Sequence, residues 1–308
     1  MTRTLNLMII RNTYRIMNLL KKLLLVHIPK ILPKRVVVKY WISLSMAQRF
    51  LTHSDYIKSI TKFDSRFSQD LYLVKMSDGI LLIQNISRLS RFLRGKSYAS
   101  ARLYNQYTNK TFEVEVNDIA KNKGIFLDIG ANIGEFSIAA ASKFKGINIV
   151  AFEPDPVAFI CLQFNIESSN LANRVTIINA ALSDKSGSFP FYISTKNADS
   201  SFIQPKSFTE IINVKSYRAD QFMQENKIES ILFLKMDAEG FEPEILAGFG
   251  RRIDDISFFA IDVGPERDGL ETVDQVKSML ESSKVRIKIF SECGKRKFLN
   301  AYQETREA

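Results

Sequence analysis

The chain has few of the residues that build disulfide frameworks, zinc sites or histidine-based catalysis. Its 308 residues include two cysteines, Cys161 and Cys293, and two histidines, His27 and His53. Two cysteines without metal-site spacing exclude a disulfide framework and favour a reducing cytoplasm. Both histidines precede the part of the chain that carries the motifs below. A catalytic base in that part is therefore expected to be a carboxylate or a lysine.

Long apolar runs are also missing. No uninterrupted stretch approaches the ~20 residues that span a bilayer, and no small-residue cleavage site follows an apolar segment. We therefore expect a cytoplasmic protein that neither spans a membrane nor is secreted. With 45% hydrophobic and 11% aromatic residues, the composition is that of a globular chain that buries one α/β core.

Positive charge is concentrated at the start of the chain. Residues 1–60 hold eleven Lys and Arg against Asp55 alone, which equals the net charge of +10 of the whole chain. Within them, Leu5–Val26 has the pattern of a basic amphipathic helix. Such a helix can lie on an anionic membrane surface at the cytoplasmic side, pack on the catalytic domain or pair with another subunit, and the sequence leaves these alternatives open. The neutral remainder argues against nucleic acid as a partner of the catalytic domain.

The remaining sequence predicts a hairpin, a helical lead-in and a doubly wound sheet. Leu71–Met76 and Ile80–Gln84 flank the turn residues 77–79. Ser87–Tyr107 follows as the helical lead-in, which with the hairpin should cover a cofactor cleft. From Gly124, apolar strands alternate with helical segments, which is typical of a parallel sheet. The predicted helices are Ile133–Lys143, Pro156–Asn170, Asp220–Glu225, Pro243–Gly248 and Thr272–Ser282. The predicted parts are a basic region (1–60), the cover (61–123) and the cofactor-binding domain (124–308).

The most informative segment is a strand that ends in Asp128 and continues through a turn with Gly130 and Gly134 into a helix. A helix N-terminus directed at a ligand supplies N–H donors. Nineteen residues after Gly134, a second apolar run delivers Glu153 to the end of the neighbouring strand. A carboxylate there can accept hydrogen bonds from both hydroxyls of a ribose. The spacing predicts a site for a ribose-bearing cofactor.

S-adenosylmethionine suits this site better than a dinucleotide does. The dinucleotide fingerprint G-x-G-x-x-G lets bare backbone touch a pyrophosphate, whereas this loop has Asn132 in place of the second glycine. Asp128 would repel phosphate oxygens, but it could bind an ammonium and lie near a sulfonium. Further along, Ser183 and Asp184 form a polar pair where an adenine amino group needs an acceptor.

A fourth apolar strand, Ile231–Met236, is followed by several carboxylates. Asp237 and Glu239 are best placed to remove a proton from an acceptor hydroxyl, with Lys235 behind them. The pattern is equally consistent with Asp237 holding the cofactor or orienting the acceptor.

The same pair, Asp237 and Glu239, could bind magnesium through its oxygens. No further carboxylate can be assigned to such a shell, so we predict no metal site. Glu242 and Glu244 are predicted to be solvated residues at a helix start, where the helix dipole favours negative charge.

Four motifs in this order resemble the FkbM family of S-adenosylmethionine-dependent O-methyltransferases: DIGANIG, AFEPDP, NAALSD and LKMDAEGFEPEIL. The resemblance extends from about Leu71 to Asp262 and implies a Rossmann-like, seven-stranded class I methyltransferase fold. It implies that Asp237 faces the transferred methyl group. The residues that it places around the cofactor are Asp128, Gly130, Asn132, Gly134, Glu153 and Asp184.

Two segments depart from the family's pattern, Tyr217–Asp220 and Phe258–Glu266, and both are expected on the substrate side. Phe189–Ser216 has short strand-like pieces around a polar stretch, which predicts an acceptor-binding insertion. These segments therefore bear on the acceptor and not on the cofactor.

The function expected from these features is O-methyl transfer to a hydroxyl of a sugar, a glycan or a secondary metabolite. RNA ribose methylation is an alternative if the basic region binds RNA. A non-catalytic, cofactor-binding scaffold at a membrane-associated glycan-assembly complex is the alternative outside the enzymes. The expected partners are the acceptor and an anionic membrane, which residues 1–30 would contact. The sequence does not decide whether the protein forms an oligomer.

Overall fold

The computed structural model describes residues 57–63, 71–84, 92, 96–108, 123–194, 200–267, 269–283, 285–292 and 296–303. The expected amphipathic helix Leu5–Val26 and both histidines lie outside these residues. Within these ranges, no helix has both the length and the apolar character needed to cross a bilayer.

The strands are β1 (Ile57–Phe63), β2 (Leu71–Met76), β3 (Gly79–Ile83), β4 (Gly124–Ile129), β5 (Ile147–Phe152), β6 (Val175–Ile178), β7 (Ala181–Ser183), β8 (Gly187–Ile193), β9 (Glu210–Arg218), β10 (Ile231–Met236), β11 (Ile256–Asp262), β12 (Val285–Glu292) and β13 (Arg296–Gln303). The α-helices are α1 (Lys96–Thr108), α2 (Glu135–Lys143), α3 (Pro156–Glu167), α4 (Ala219–Glu225), α5 (Glu242–Phe249) and α6 (Val273–Glu281), and a 3₁₀ helix spans Gly250–Asp255.

A seven-stranded sheet forms the centre of the fold, in the order β12-β13-β11-β10-β4-β5-β6. Neighbours from β11 to β6 are parallel, whereas β13 runs antiparallel to both β11 and β12. Seven strands, parallel except for β13, agree with the seven-stranded sheet that the sequence predicts. The predicted α/β fold is therefore confirmed.

Helices cover both faces of this sheet, because its central strands are apolar on both sides. On β4, Phe126 belongs to the core shared with α1, α2 and α3, and the next residue, Leu127, belongs to the core shared with α4, α5 and α6. Both side chains are at most 2% exposed. The continuous apolar run in the sequence thus reflects burial on both faces.

The predicted hairpin is present as β2 and β3, and it joins β1 in a separate three-stranded sheet. Its buried side chains pack on Ile133, Val157 and Cys161, on and beside helix α3. Asn165 of α3, fully buried, exchanges two hydrogen bonds with Leu82 and donates a third to the carbonyl of Ile133. The hairpin's contacts therefore fasten it to α3, and the lead-in helix α1 is the part that reaches the strand ends.

The helices agree with the predicted positions to within a few residues, and one difference has a clear cause. Helix α2 begins at Glu135 and not at Ile133, because Asn132 and Gly134 adopt left-handed φ values of 52° and 90°. An α-helix cannot contain such residues. Of the predicted lead-in, Lys96 onward is helical, and most of the residues before it lie outside the described part of the chain.

The segment predicted to be an insertion forms part of a third sheet, in which β9 lies between β7 and β8. Ser200 and Ser201, at the end of its polar stretch, contact the strand-end loops. The Ser200 hydroxyl donates to Asp155, and the Ser201 hydroxyl donates to the carbonyl of Glu239. The insertion is thereby held beside the predicted site, and its role in acceptor binding stays a prediction.

Candidate active site

The candidate site lies where the direction of the sheet topology changes. From β4 the chain proceeds through β5 to β6 at one side, and it later returns to build β10 and β11 on the other side of β4. In open α/β sheets, ligands bind beyond the carboxyl ends of the strands at such a switch point. The motifs that follow β4, β5 and β10 all lie at this edge.

Lys235 of β10 pairs with Asp128 of β4 below the cleft. Its Nζ lies 3.1 Å from Asp128 Oδ1, and it donates to the carbonyl oxygens of Ile129 and Gly130 at 3.1 and 2.7 Å. Asp128 Oδ2 accepts from Ser137 at 2.6 Å. The two side chains are 3% and 0% exposed.

This pairing bears on two predicted site residues. Lys235 donates two hydrogen bonds to backbone carbonyls and forms an ion pair with Asp128, and an ammonium has no lone pair to offer, so this geometry argues against Lys235 as a catalytic base. The Asp128 carboxylate already has Lys235 as its counter-charge and is fully buried, which argues against a direct contact with a cofactor ammonium. Both residues instead hold the ends of β4 and β10 together.

The glycine loop packs against the loop after β10. A Cβ on Gly130, whose φ is 71°, would lie 1.9 Å from the carbonyl oxygen of Asp237, so only glycine fits there. The amides of Gly130 and Ala131 both donate to the carbonyl of Phe152. A Cβ on Gly134 would lie 2.8 Å from a methyl group of Leu162. Gly130 thus allows close packing against the loop after β10, and Gly134 allows close packing against helix α3.

Glu153 is held in place by backbone donors. Its Oε2 accepts from the amide of Asn132 at 2.6 Å, and its Oε1 accepts from the amide of Asp155 at 2.9 Å. Burial, together with the nearby charge of Asp155, raises the pKa of Glu153 to about 8, although these two hydrogen bonds and Lys235 oppose the shift. Each carboxylate oxygen has a second lone pair. The geometry suits the predicted contact with ribose hydroxyls.

Ser183 and Asp184 lie elsewhere. A Cβ on Gly248 would be 2.0 Å from the Ser183 carbonyl, and Arg218 donates to the carbonyl of Asp184. Gly248 is near the C-terminal end of α5, about 10 Å along the helix from the end that faces the site. The structure therefore does not bring this pair to Glu153.

Asn179 lies beside Glu153, and no sequence-based prediction singled it out. It directly follows β6, the strand next to β5, and its side chain donates to the carbonyl of Glu153 at 2.9 Å. A polar residue at the end of β6 was visible in the NAALSD motif. Attention to strand ends would have selected Asn179 and not the residues four and five positions later.

Three carboxylates meet beyond β10 and β11. One oxygen from each of Asp237, Glu239 and Glu266 lies within 4.8 Å of the others, a spacing that could hold a divalent cation. Glu239 has a left-handed φ of 52°. This backbone conformation forms part of the tight turn after β10 that presents its carboxylate. Two members of the cluster were predicted, and the prediction that no further carboxylate joins them is wrong.

Glu266 is the member that the sequence reading missed. It follows β11, and the segment that contains it had been singled out as a departure from the family's pattern. Burial raises its pKa well above the usual range, and the charges of Glu239, Asp237, Asp262 and Glu242 raise it further. Its Oε2 is buried with no hydrogen-bond partner among the described residues. Crowded like charges favour a proton or a cation in this cluster.

Glu242 was predicted to be solvated, and the structure corrects this. Its side chain is 0% exposed, and Oε1 accepts from the amides of Ala238 and Gly240 while Oε2 accepts from Thr272. Burial raises its pKa to about 7, against the effect of these amide bonds. Glu242 thus fixes the turn that presents Asp237 and Glu239. Glu244 is partly exposed and pairs with Arg267.

One contact comes from outside the sheet domain. The hydroxyl of Tyr107, near the end of α1, donates to Asp237 Oδ2 at 2.5 Å. No motif pointed to Tyr107, since 130 residues separate it from Asp237.

The sheet order, the carboxylate after β5 and the acidic turn after β10 together define the class of protein. A mostly parallel, doubly wound sheet with carboxylates at its switch point is a Rossmann-like ligand-binding fold.

Residues 128–297 match the sequence model of the methyltransferase FkbM domain. The match covers more than half of the chain, which therefore belongs to this family. It is 28% identical over 186 residues to the 2-O-methyltransferase NoeI of Sinorhizobium fredii, with 54% of this chain and 72% of NoeI covered.

Two further relatives are similar to shorter parts of the chain. The hexuronic acid methyltransferase AglP of Haloferax volcanii is 26% identical over 164 residues, covering 53% of this chain and 64% of AglP. The 31-O-demethyl-FK506 methyltransferase FkbM of Streptomyces tacrolimicus is 28% identical over 154 residues, covering 40% and 58%. The aligned part spans less than two thirds of each of these two relatives.

Proposed function

We propose that this methyltransferase transfers a methyl group from S-adenosylmethionine to a hydroxyl group of a sugar, a glycan or a similar polyol. The observation that carries the proposal is the cluster of Asp237, Glu239 and Glu266 beside the glycine loop. A hydroxyl acceptor must lose a proton, and these three carboxylates meet beyond the ends of β10 and β11, where they could receive it. The relatives NoeI and FkbM, both named for methylation at an oxygen, and AglP, named as a hexuronic acid methyltransferase, support the acceptor class.

The residues at the site fit a cofactor that is cationic at its reactive end. Glu153 offers a buried, oriented carboxylate to a ribose, and the acidic turn after β10 favours a nearby positive charge. The amides of Gly130 and Ala131 are bonded to Phe152, so this loop lacks the open donors that a pyrophosphate needs. Bound S-adenosylmethionine would supply an electrophilic methyl group, whose bond to sulfur would break as its bond to the acceptor oxygen forms.

The chain's own residues would position the acceptor and receive its proton. Burial and the neighbouring carboxylates raise the pKa of Glu266 and favour its protonated state, and we assign the acceptor's proton to Asp237 or Glu239. Ser201 of the insertion bonds to the backbone of Glu239, so a bound acceptor would lie between this insertion and the carboxylates. Lys235 would support the site indirectly, because its ion pair with Asp128 holds β10 to β4.

The test is transfer of labelled methyl groups to a panel of glycans, glycosides and nucleotide sugars. We expect Asp237→Asn to retain cofactor affinity and to lower turnover by roughly 10²–10⁴-fold, because the amide keeps the size but not the basicity. Asp274→Asn, a change at an exposed residue of α6, is the matched control. A wild type that binds cofactor but methylates no hydroxyl acceptor would replace this proposal with the scaffold function.

We also propose that residues 1–30 attach the enzyme to an anionic membrane surface. Their excess of basic residues supports this, at about 1 kcal/mol for each one near the surface. Sedimentation with phosphatidylserine vesicles should weaken steeply with salt, and it should be lost in a chain that starts at residue 31. Equal sedimentation of both chains would contradict the attachment.

A further inference from the structure

A second cleft opens between helices α1 and α2 and the turn of the β2–β3 hairpin, with a volume of about 610 Å³. Pockets for small molecules fall in this size range. The cleft lies apart from the candidate active site. Its wall includes Ser100, which is about 10 Å along α1 from Tyr107, the residue that contacts Asp237. It also includes Ser142 and Lys143 in the last turn of α2, whereas the first turn of α2 follows the glycine loop of the active site.

Hydroxyl groups surround this cleft. Serines from α1, from the end of α2 and from the residues after α3 line it, and they are Ser97, Ser100, Ser142, Ser168 and Ser169. Ser100 is only 3% exposed, and among the described residues no partner forms a hydrogen bond with its hydroxyl. Buried hydroxyls normally have a partner. The Ser100 hydroxyl is therefore available to a ligand, both as a donor and as an acceptor.

Lys96 brings a buried positive charge to the same cleft. It is 6% exposed, and its Nζ donates to the hydroxyl of Ser169 at 2.7 Å and to the carbonyl of Ile80 at 3.2 Å. Both acceptors are neutral, and no carboxylate of the described residues forms an ion pair with this ammonium. Lys235 differs, since its Nζ lies 3.1 Å from Asp128. Burial lowers the pKa of Lys96. An anion beside Lys96 would supply the counter-charge that the protein does not place there.

The start of α1 is not itself an anion site, because Asp78 already caps it. The two carboxylate oxygens of Asp78 accept from the amides of Lys96 and Ser97, at 3.0 and 2.7 Å. Lys143 also lines the cleft, so two lysines oppose this single carboxylate. The charge of the lining is therefore positive, and it favours an anionic ligand over a neutral or cationic one.

We infer that this cleft binds a small polyhydroxy ligand that carries a carboxylate or a phosphate, such as an acidic sugar. The anionic group would pair with the Lys96 ammonium, and the serine hydroxyls would exchange hydrogen bonds with the hydroxyls of the ligand. A cleft of this volume has room for a monosaccharide together with its charged group. Binding here is independent of the proposed methyl transfer, because the cleft and the acidic cluster share no residue.

The test is titration calorimetry of the full chain with glucuronic acid, glucose 6-phosphate, glucose and inorganic phosphate. We expect an acidic sugar to bind about tenfold more tightly than glucose or inorganic phosphate, because the charge-assisted bond to Lys96 adds to the hydroxyl contacts. The tighter of the two acidic sugars identifies the anionic group. Inorganic phosphate that binds as tightly as both would contradict the sugar assignment. No binding of either acidic sugar would overturn the whole inference.

Variants locate the bound sugar. Ser100→Leu places a larger side chain in the cleft, and Lys96→Met removes the ammonium, so each should weaken binding of the acidic sugar by about tenfold or more. Lys145→Met, at an exposed lysine that does not line the cleft, is the matched control and should bind like the wild type. Asp237→Asn should also bind like the wild type. Binding that is lost in Asp237→Asn and retained in Ser100→Leu would place the sugar in the active site and overturn the assignment.

Lys96→Met also removes the hydrogen bonds that join α1 to Ile80 and Ser169, so thermal unfolding must first show that this variant folds. Ser100→Leu leaves these bonds intact and decides the question if Lys96→Met does not fold. Wild-type affinity in a folded Ser100→Leu protein would overturn the inference. These measurements use no methyl transfer, so a negative result here is distinct from failure of the proposed function.

Discussion

Lys235 and Asp128 lie directly opposite one another on the adjacent parallel strands β10 and β4, with Nζ 3.1 Å from Oδ1. Both side chains are almost completely buried, at 3% and 0% exposure. A buried ion pair is costly to break, because either partner left alone is an uncompensated charge. This pair therefore maintains the spacing between the loops that carry Gly130 and Asp237.

Lys235→Met should destabilise the fold by about 3–5 kcal/mol, since it leaves Asp128 charged and buried. Thermal unfolding should show a melting temperature lower by roughly 10 °C. The double variant Lys235→Met/Asp128→Asn should recover part of this loss, because the orphaned charge is gone. A double variant less stable than Lys235→Met would contradict the ion-pair explanation.

Cofactor affinity should depend on the ionisation of Glu153. Its pKa of about 8 means that the free protein holds a proton there at pH 7. Ribose hydroxyls donate best to the ionised carboxylate, so binding should tighten as the pH rises from 7 to 9 and should release a proton. Titration calorimetry in buffers of different ionisation enthalpy measures this proton. In Glu153→Gln the pH dependence should vanish, and its persistence there would assign the effect to another group.

Stability should fall as the pH rises, because Glu266 and Glu242 both have raised pKa values in the folded state. Between about pH 5 and pH 9 the folded protein holds protons that the unfolded chain has released, so each increase in pH favours unfolding. Glu266→Gln should flatten this dependence and raise the melting temperature at pH 8.5 by roughly 4 °C, the shift for about 1–2 kcal/mol. Glu229→Gln, at an exposed position, is the control and should follow the wild type.

Gly130→Ala should be far more harmful than Gly269→Ala, although both glycines have positive φ values, 71° and 85°. A Cβ at position 130 would meet the Asp237 carbonyl at 1.9 Å, whereas nothing lies within 4 Å at position 269. Backbone strain alone costs about 1 kcal/mol, and the clash adds several more at Gly130. Chemical denaturation of both variants separates the two contributions. Equal losses of stability in the two variants would show that the loops carrying Gly130 and Asp237 can move apart.

The sequence alone was sufficient for the class of fold and for most of the strand-end residues. The apolar runs of β4, β5 and β10 reveal strands buried on both faces, and residues directly after parallel strands must meet at one edge of the sheet. This is why Glu153, Asp237 and Glu239 could be assigned before the structure was known. Their positions follow from the local sequence pattern and from the small number of sheet topologies that the rules for chain connections allow.

Only the tertiary structure decided which charged groups face one another. Lys235 and Asp237 are two residues apart, yet Lys235 turns to Asp128 while Asp237 joins Glu239 and Glu266. Sequence spacing cannot supply such contacts, because ionisable side chains choose partners according to burial and distance in the packed molecule. Tyr107 is the clearest case, since its bond to Asp237 exists only once α1 has packed across the sheet.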